Sequence, residues 1–263
     1  MNTELEGELR DIAARFQFPD AKSFRELVDT LAKFMEEARF VVTEDGIRVV
    51  GMDASKIALI DVYMPRDAFL EYEIVEGKDE VYLGVNLTSL SQMLKKGKKG
   101  EPVAFIVSED RVLVKVDSAV VKKFLVPNIE VFVDVPSEIR LEFDVEASVI
   151  SDSLKKALKD VEIVGDVVEF EATQEALIIK SRGEGTRART VFSKDSAALT
   201  YLEVRTPSKS AYDISYLKNI LNLTKIADAV DVKFSTDKPL ELVFKTPGPG
   251  ELTVRYLLAP VSV

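Results

Sequence analysis

The chain contains no cysteine and no histidine. Without cysteine there is no disulfide framework and no thiolate metal site, a usage that suits a cytosolic protein. Without histidine, the commonest general base and metal ligand is gone, and with it every Ser-His or Cys-His nucleophile pair. No stretch approaches the run of about 18 apolar residues that a spanning helix needs. The opening "MNTELEGELRDIAARFQFPD" carries three glutamates and no apolar core, so it does not read as a secretory signal. No GxGxxG and no GxxxxGK[ST] occurs, which removes the usual glycine-rich phosphate cradles. Carboxylates are plentiful, but they are spread along the chain. These absences leave little room for an enzyme, a resident metal or a cofactor. Asparagine and glutamine are also scarce, five and three residues, beside abundant lysine and glutamate. That balance hints at a thermophilic source.

What is present is a globular composition: 263 residues, 46% hydrophobic and 30% charged. This is enough chain for one large or two medium domains with a sizeable core. The net charge is −10. Against that acidic background, "MLKKGKKG" (93–100) packs four lysines into five positions, directly after the apolar pattern "VNLTSLSQML". A solvated turn explains one such cluster. A functional reading needs basic clusters in equivalent places elsewhere.

The chain repeats itself. At an offset of 127, "SLSQMLKKGKKGEPVAFIVSEDRVLVKV" (89–116) aligns with "YLKNILNLTKIADAVDVKFSTDKPLELV" (216–243), matching Leu90 with Leu217, Val103 with Val230 and Asp110 with Asp237. At an offset of 130, "FRELVDTLAKFMEEARFVVTEDGIRVVGMD" (24–53) aligns with "LKKALKDVEIVGDVVEFEATQEALIIKSRG" (154–183). In the first of these, Phe24, Leu27, Val28, Leu31, Phe34 and Met35 recur at helical spacing, and alternating strands follow. Each half therefore reads as two helices among many strands. Between the halves, "VPNIEVFVDVP" (126–136) is bounded by prolines and strongly apolar. It suits a connector, and it equally suits one more edge strand.

The helices carry the basic residues. "SVISDSLKKALKDV" bears Lys155, Lys156 and Lys159, and "DISYLKNILNLTKIA" bears Lys218 and Lys225. The cluster after the second helix adds Lys95, Lys96, Lys98 and Lys99. The first helix offers Lys22, Arg25 and Lys33, diluted by Glu26 and Asp29. A segregated basic surface on an acidic body suits a polyanion. Lysine prevails over arginine and no aromatics interleave, which points to phosphate contact without base reading. Ordinary solvated helix faces remain the alternative.

Three stretches together carry a family resemblance: "MDASKIALI" (52–60), "VNLTSL" (85–90) and "YLLAP" (256–260). The chain, from about Ala14 to its end, resembles proliferating cell nuclear antigen, the DNA sliding clamp, and most closely its archaeal type. The resemblance implies an α+β DNA-clamp fold of two pseudo-equivalent domains, each with helices on one face of antiparallel sheets. Three subunits would form a ring around duplex DNA. The expected segments are 1–11, a loose N-terminal extension; 12–125, the N-terminal clamp domain; 126–136, the connector; and 137–263, the C-terminal clamp domain.

The resemblance further implies a non-catalytic processivity factor in a prokaryotic cytosol, associated with the nucleoid. It would contact DNA through the lysines and arginine named above and tether polymerase, clamp loader, ligase and flap endonuclease. Partner peptides would bind at Met52, Ile57, Leu59, Ile129, Val131, Val135, Pro239, Leu257, Leu258, Ala259 and Pro260. Subunits would join edge to edge through Val120, Val121 and Phe124 of one and Arg189 and Val191 of the next, as a homotrimer or with sister clamp subunits. A clamp-fold scaffold that binds proteins without encircling DNA is the alternative.

Overall fold

The computed structural model describes residues 5–136, 139–248 and 250–261. The chain divides into two compact units: Met1–Met52 with Asp61–Val135 and Gly248–Thr253, and Asp53–Ile60 with Pro136–Pro247 and Val254–Val263.

The first unit runs β1 (Ala14–Phe18), α1 (Ala21–Leu31), β2 (Glu37–Thr43), β3 (Gly46–Met52), the larger part of β4 (Ala58–Pro65), β5 (Glu71–Ile74), β6 (Glu80–Asn86), α2 (Leu87–Leu94), β7 (Val103–Val107), β8 (Arg111–Val116) and β9 (Lys122–Pro127). One sheet has the order β5-β1-β7-β8-β9, and β6-β2-β3-β4 are hydrogen-bonded neighbours in a second. The alternation expected of half-buried strands is present: Ala38, Phe40 and Val42 of β2 point inward between half-exposed neighbours. The β2–β3 hairpin turns at Gly46, whose φ of 153° and closeness to the Met64 carbonyl, 2.3 Å from where a Cβ would sit, admit no side chain. Phe16, Phe24 and Phe105 pack at the centre, with ring centroids 5.1 and 5.4 Å from Phe105.

The second unit repeats the plan: β10 (Val145–Ile150), α3 (Ser151–Glu162), β11 (Val167–Thr173), β12 (Ala176–Arg182), β13 (Arg187–Ser193), β14 (Leu199–Val204), β15 (Ser208–Asp213), α4 (Ile214–Asn219), β16 (Ala229–Phe234), β17 (Leu240–Lys245) and β18 (Thr253–Leu258). Its strands are ordered β13-β12-β11-β15 and β14-β10-β16-β17-β18. The starts of α1, β2 and β3 at 21, 37 and 46 recur at 151, 167 and 176, so the 130-residue repeat is structural. Phe170, Tyr212 and Phe234 form the smaller aromatic core of this unit.

Three expectations change. The first helix stops at Leu31, and the apolar Phe34 and Met35 follow in a turn whose amides bond back to the Leu31 carbonyl. The fourth helix is broken: α4 ends at Asn219 and a three-ten turn continues over Leu221–Lys225. The N-terminal segment is packed where it is described. Leu9 is buried with Ile106 and Leu113, Leu5 and Ile12 pack against them, and Glu6 pairs with Lys123 at 2.5 Å. Residues 1–4 of that expected extension lie outside the described residues.

Candidate nucleic-acid interface

The lysine cluster is held by its backbone. Asp20 caps α1, accepting from the Ser23 amide at 2.7 Å through one oxygen and from the Gly100 amide at 2.8 Å through the other. The Ala21 amide donates to the Glu101 carbonyl, and the Glu101 carboxylate accepts from the Lys98 amide. At the middle of the cluster Gly97 is buried, and a Cβ there would stand 2.6 Å from that of Ala21. The glycine lets the loop lie against α1, and Lys95, Lys96, Lys98 and Lys99 are all turned outward and exposed. Their amino groups have no ion-pair partner among the described residues. The lysines follow α2 instead of lying on it.

On α1 the expected basic face is partly something else. Glu26 is buried, and Asp29 accepts a hydrogen bond from Ser91 of α2. The stripe of 22, 26, 29 and 33 is therefore not a uniformly basic face: Asp29 is engaged with α2 and Glu26 is buried. Arg25 is turned toward Glu26 and Asp29, at 3.8 Å from each. Lys22 and Lys33 remain exposed.

On α3, Lys159 is exposed and Lys155 half-exposed, and neither has an ion pair among the described residues. Lys156 is paired with Asp152 one turn earlier at 2.8 Å. That hydrogen bond lowers the Asp152 pKa and raises that of Lys156. Lys218 of α4 is bound to Glu162 at 2.5 Å, and Lys225 is exposed. The open cationic set thus centres on the loop lysines, Lys155 and Lys159, and Lys22.

The connector residues 128–136 carry no regular structure. They are tied to β6: the Ile129 amide donates to the Gly84 carbonyl at 3.0 Å, and the Asn128 side chain accepts from the Gly84 amide at 2.8 Å. Ile129, Val131 and Val135 are half-exposed. Val133 and Val135 border a groove of about 410 Å³ shared with Arg39, Arg48 and Tyr63. Phe132, not singled out from sequence, is 87% exposed. Phe132 interrupts the alternation of Ile129, Val131, Val133 and Val135 with Glu130 and Asp134, so the run is apolar on both faces and gives no signal for which is open.

Of the other peptide-binding candidates, Ile57 is exposed, and Met52, Pro239, Ala259 and Pro260 are half-exposed. Leu59, Leu257 and Leu258 are buried in strands. The Ala259 amide bonds to the Ile57 carbonyl at 2.9 Å, tying the tail to that loop.

Both edges expected at the subunit junction are terminal strands, β9 in its sheet and β13 in its own. Val120, Val121 and Val191 are exposed, Arg189 is exposed and Phe124 half-exposed. No helix among the described residues is long and apolar enough to cross a membrane.

A plan of nine strands and two helices, traced twice through the described residues with lysines gathered at the helices, defines the DNA-clamp class of fold. The chain belongs to the proliferating cell nuclear antigen family, whose N-terminal domain model matches residues 13–124 and whose C-terminal domain model matches 139–261. It is 46% identical over 242 residues to DNA polymerase sliding clamp 1 of Aeropyrum pernix, covering 92% of this chain and 97% of that one. The crystal structure of PCNA from Thermococcus kodakaraensis matches with a TM-score of 0.86 at 30% identity, over 94% of this chain and 100% of that one. A chain of the PCNA2-PCNA3 complex from Sulfolobus tokodaii matches with a TM-score of 0.86 at 26% identity, over 94% of this chain and 98% of that one.

Proposed function

We propose that this chain is a subunit of a DNA polymerase sliding clamp, a non-enzymatic processivity factor that encircles duplex DNA in the cytoplasm, at the nucleoid. The observation that carries the reading is the set of solvent-facing lysines without ion pairs among the described residues, Lys95, Lys96, Lys98 and Lys99 after α2 and Lys155 and Lys159 on α3, in a chain whose net charge is −10. Lys95, Lys96, Lys98, Lys99, Lys155 and Lys159 would meet phosphates, with Lys22, Lys33 and Lys225 beside them. A protein-binding scaffold of the same fold has no use for such a surface. Contact through mobile ammonium groups is independent of base sequence and strongly dependent on salt.

The ring requires three subunits, either copies of this chain or sister clamp subunits. The name of the Sulfolobus tokodaii complex, which joins two differently numbered subunits, supports the second possibility. Partner peptides from polymerase, clamp loader, ligase and flap endonuclease would use Ile129, Val131 and Val135 of the connector. In the second unit they would use Ile57, Pro239, Ala259 and Pro260. Truncating Ile129 and Val131 to Ala weakens such binding, as calorimetry would show, without changing the assembly.

The deciding experiment is primer extension on a long primed circular template with the assembled clamp, its loader and a polymerase. The wild-type chain lengthens the products made per binding event. The Lys155→Ala, Lys159→Ala, Lys225→Ala triple variant folds normally and shortens them, most at elevated salt. Product lengths that ignore the clamp altogether would defeat the proposal.

A further inference from the structure

We infer that the outward face of the β5-β1-β7-β8-β9 sheet holds a docking site for a leucine-bearing acidic segment, and that residues 5–12 fill this site as a displaceable strap. A partner segment of the same chemistry takes the strap's place. The inference does not depend on the clamp reading.

Strand register shows where the site lies. Phe105 and Val114 are cross-strand partners, and Phe105 packs on Phe24 of α1, so their face of the sheet looks toward the helices. Their neighbours in sequence point the other way. There Ile106 pairs with Leu113 and Leu113 with Leu125, which makes an apolar row across β7, β8 and β9. On a bare sheet face this row would meet water. Leu113 is instead 0% exposed and Ile106 8%. The cover is the strap: Leu9 is buried against the row, with Leu5 and Ile12 beside it. The flank of the row is basic. Lys115 lies opposite Lys123 in the next row, and Arg15 lies opposite Ile106 at the row's end. Glu6 of the strap pairs with Lys123 at 2.5 Å and also feels the charges of Lys115 and Arg15. An apolar row edged by cations suits a segment that brings leucines and a carboxylate together.

The strap is fastened in a way that allows it to leave. The family model begins at residue 13, so the strap is an addition to the matched domain. Among the described residues its backbone hydrogen bond is local, from the Leu9 amide to the Glu6 carbonyl at 3.3 Å. Backbone bonding to the sheet begins with the Ala13 amide, which donates to the Val107 carbonyl at 2.7 Å. Just before that anchor, Asp11 stands in the left-handed region at φ 50°, a costly conformation for a residue with a Cβ. Apolar contacts and an ion pair hold the strap, a strained hinge follows it, and no strand pairing has to break for it to lift. The seated strap also displays the chemistry its replacement must have: apolar residues spaced four and three apart, as at 5, 9 and 12, with an acid placed to meet Lys123.

A peptide titration tests this. The probe is the capped peptide LEGELRDI, residues 5–12, added in a calorimeter to the full chain as wild type, as the Leu5→Ser, Leu9→Ser variant and as Glu6→Lys. Circular dichroism confirms each fold. The double variant, its strap released, binds the peptide about tenfold or more tightly than wild type, whose own strap competes at high effective concentration. Glu6→Lys, which only reverses a charge beside Lys123, falls between, and it carries the test alone where the double variant does not fold. Adding Lys123→Ala to the released chain weakens binding several-fold, and the loss shrinks at high salt. A folded released variant that binds the peptide no better than wild type, or not at all, overturns the inference. Equal binding of a peptide with both leucines changed to serine overturns it too, because attraction would then be by charge alone.

Discussion

The two units follow one plan but divide its tasks differently. In the first, α1 begins at an aspartate cap whose second oxygen secures the lysine loop, and α1 and α2 are joined by Asp29 and Ser91. In the second, the equivalent of Asp20 is Ile150, which gives α3 no side-chain cap, and the Ser151 hydroxyl is buried without a partner. There the first-turn acid, Asp152, is spent on Lys156, and α3 and α4 are joined by an ion pair. One unit thus concentrates its open cations in a braced loop, and the other keeps them along a helix. Charge placement can drift within a duplicated fold as long as each helix finds its own way to satisfy its end and its neighbour.

The largest test of this contrast is the loop itself. Replacing Lys95, Lys96, Lys98 and Lys99 with Ala should lower the affinity of the loaded clamp for duplex DNA on the order of a hundredfold at low salt, and flatten the salt dependence by up to about four phosphate contacts. The Lys155→Ala, Lys159→Ala pair should cost less, by about two contacts. Equal losses, measured by a salt titration of each, would erase the distinction.

The ends of the two units give the next test. The Ile129 amide bonds to Gly84 and the Val261 amide bonds to Ala211, at equivalent places on β6 and β15. At Gly84 a Cβ would come within 1.8 Å of the Ile129 carbonyl oxygen. Gly84→Ala should therefore destabilise by about 1–3 kcal/mol and loosen the connector. Ala211→Gly should cost only about 0.5–1 kcal/mol. Thermal unfolding and amide exchange at Ile129 read both.

Removing the cap is a smaller change. Asp20→Ala should cost about 1 kcal/mol and release the Gly100 amide, visible as faster exchange in 95–100. At the capless counterpart, Ile150→Ala should leave exchange in α3's first turn unaltered.

The smallest effect is Glu6→Gln, at most about 1 kcal/mol for a pair of this kind. The hydrogen bond from Lys123 lowers the Glu6 pKa in the folded state. Its contribution is therefore present above the unfolded value of about 4.3 and is lost as pH falls through the lower folded value. Stability curves of wild type and variant should differ at neutral pH and merge in strong acid.

Much of this was legible in the sequence because the repeat was. The offsets near 127 and 130 gave two halves with matching helices and strands, and the family resemblance gave the clamp fold. Single side chains resisted for particular reasons. Leu59, Leu257 and Leu258 sit in near-continuous apolar strands, where alternation no longer separates inside from outside. Asp29 reads as dilution of a basic face because its partner, Ser91, lies 62 residues away. The hold of Asp20 on Gly100 was not legible, since that bond joins residues 80 apart.

Fastening the lysine loop by main-chain amides has a kinetic consequence. Asp20 and the Glu101 carboxylate hold backbone N–H groups, and the loop's ammonium groups are left to their flexible four-carbon stems. On the proposed reading, the anchor points stay fixed while each ammonium changes phosphate by rotamer hops on a picosecond-to-nanosecond scale. No one contact has to break before another forms, so the barrier to moving one nucleotide along the duplex is low. The surface would act as a bearing that retains its track without gripping it.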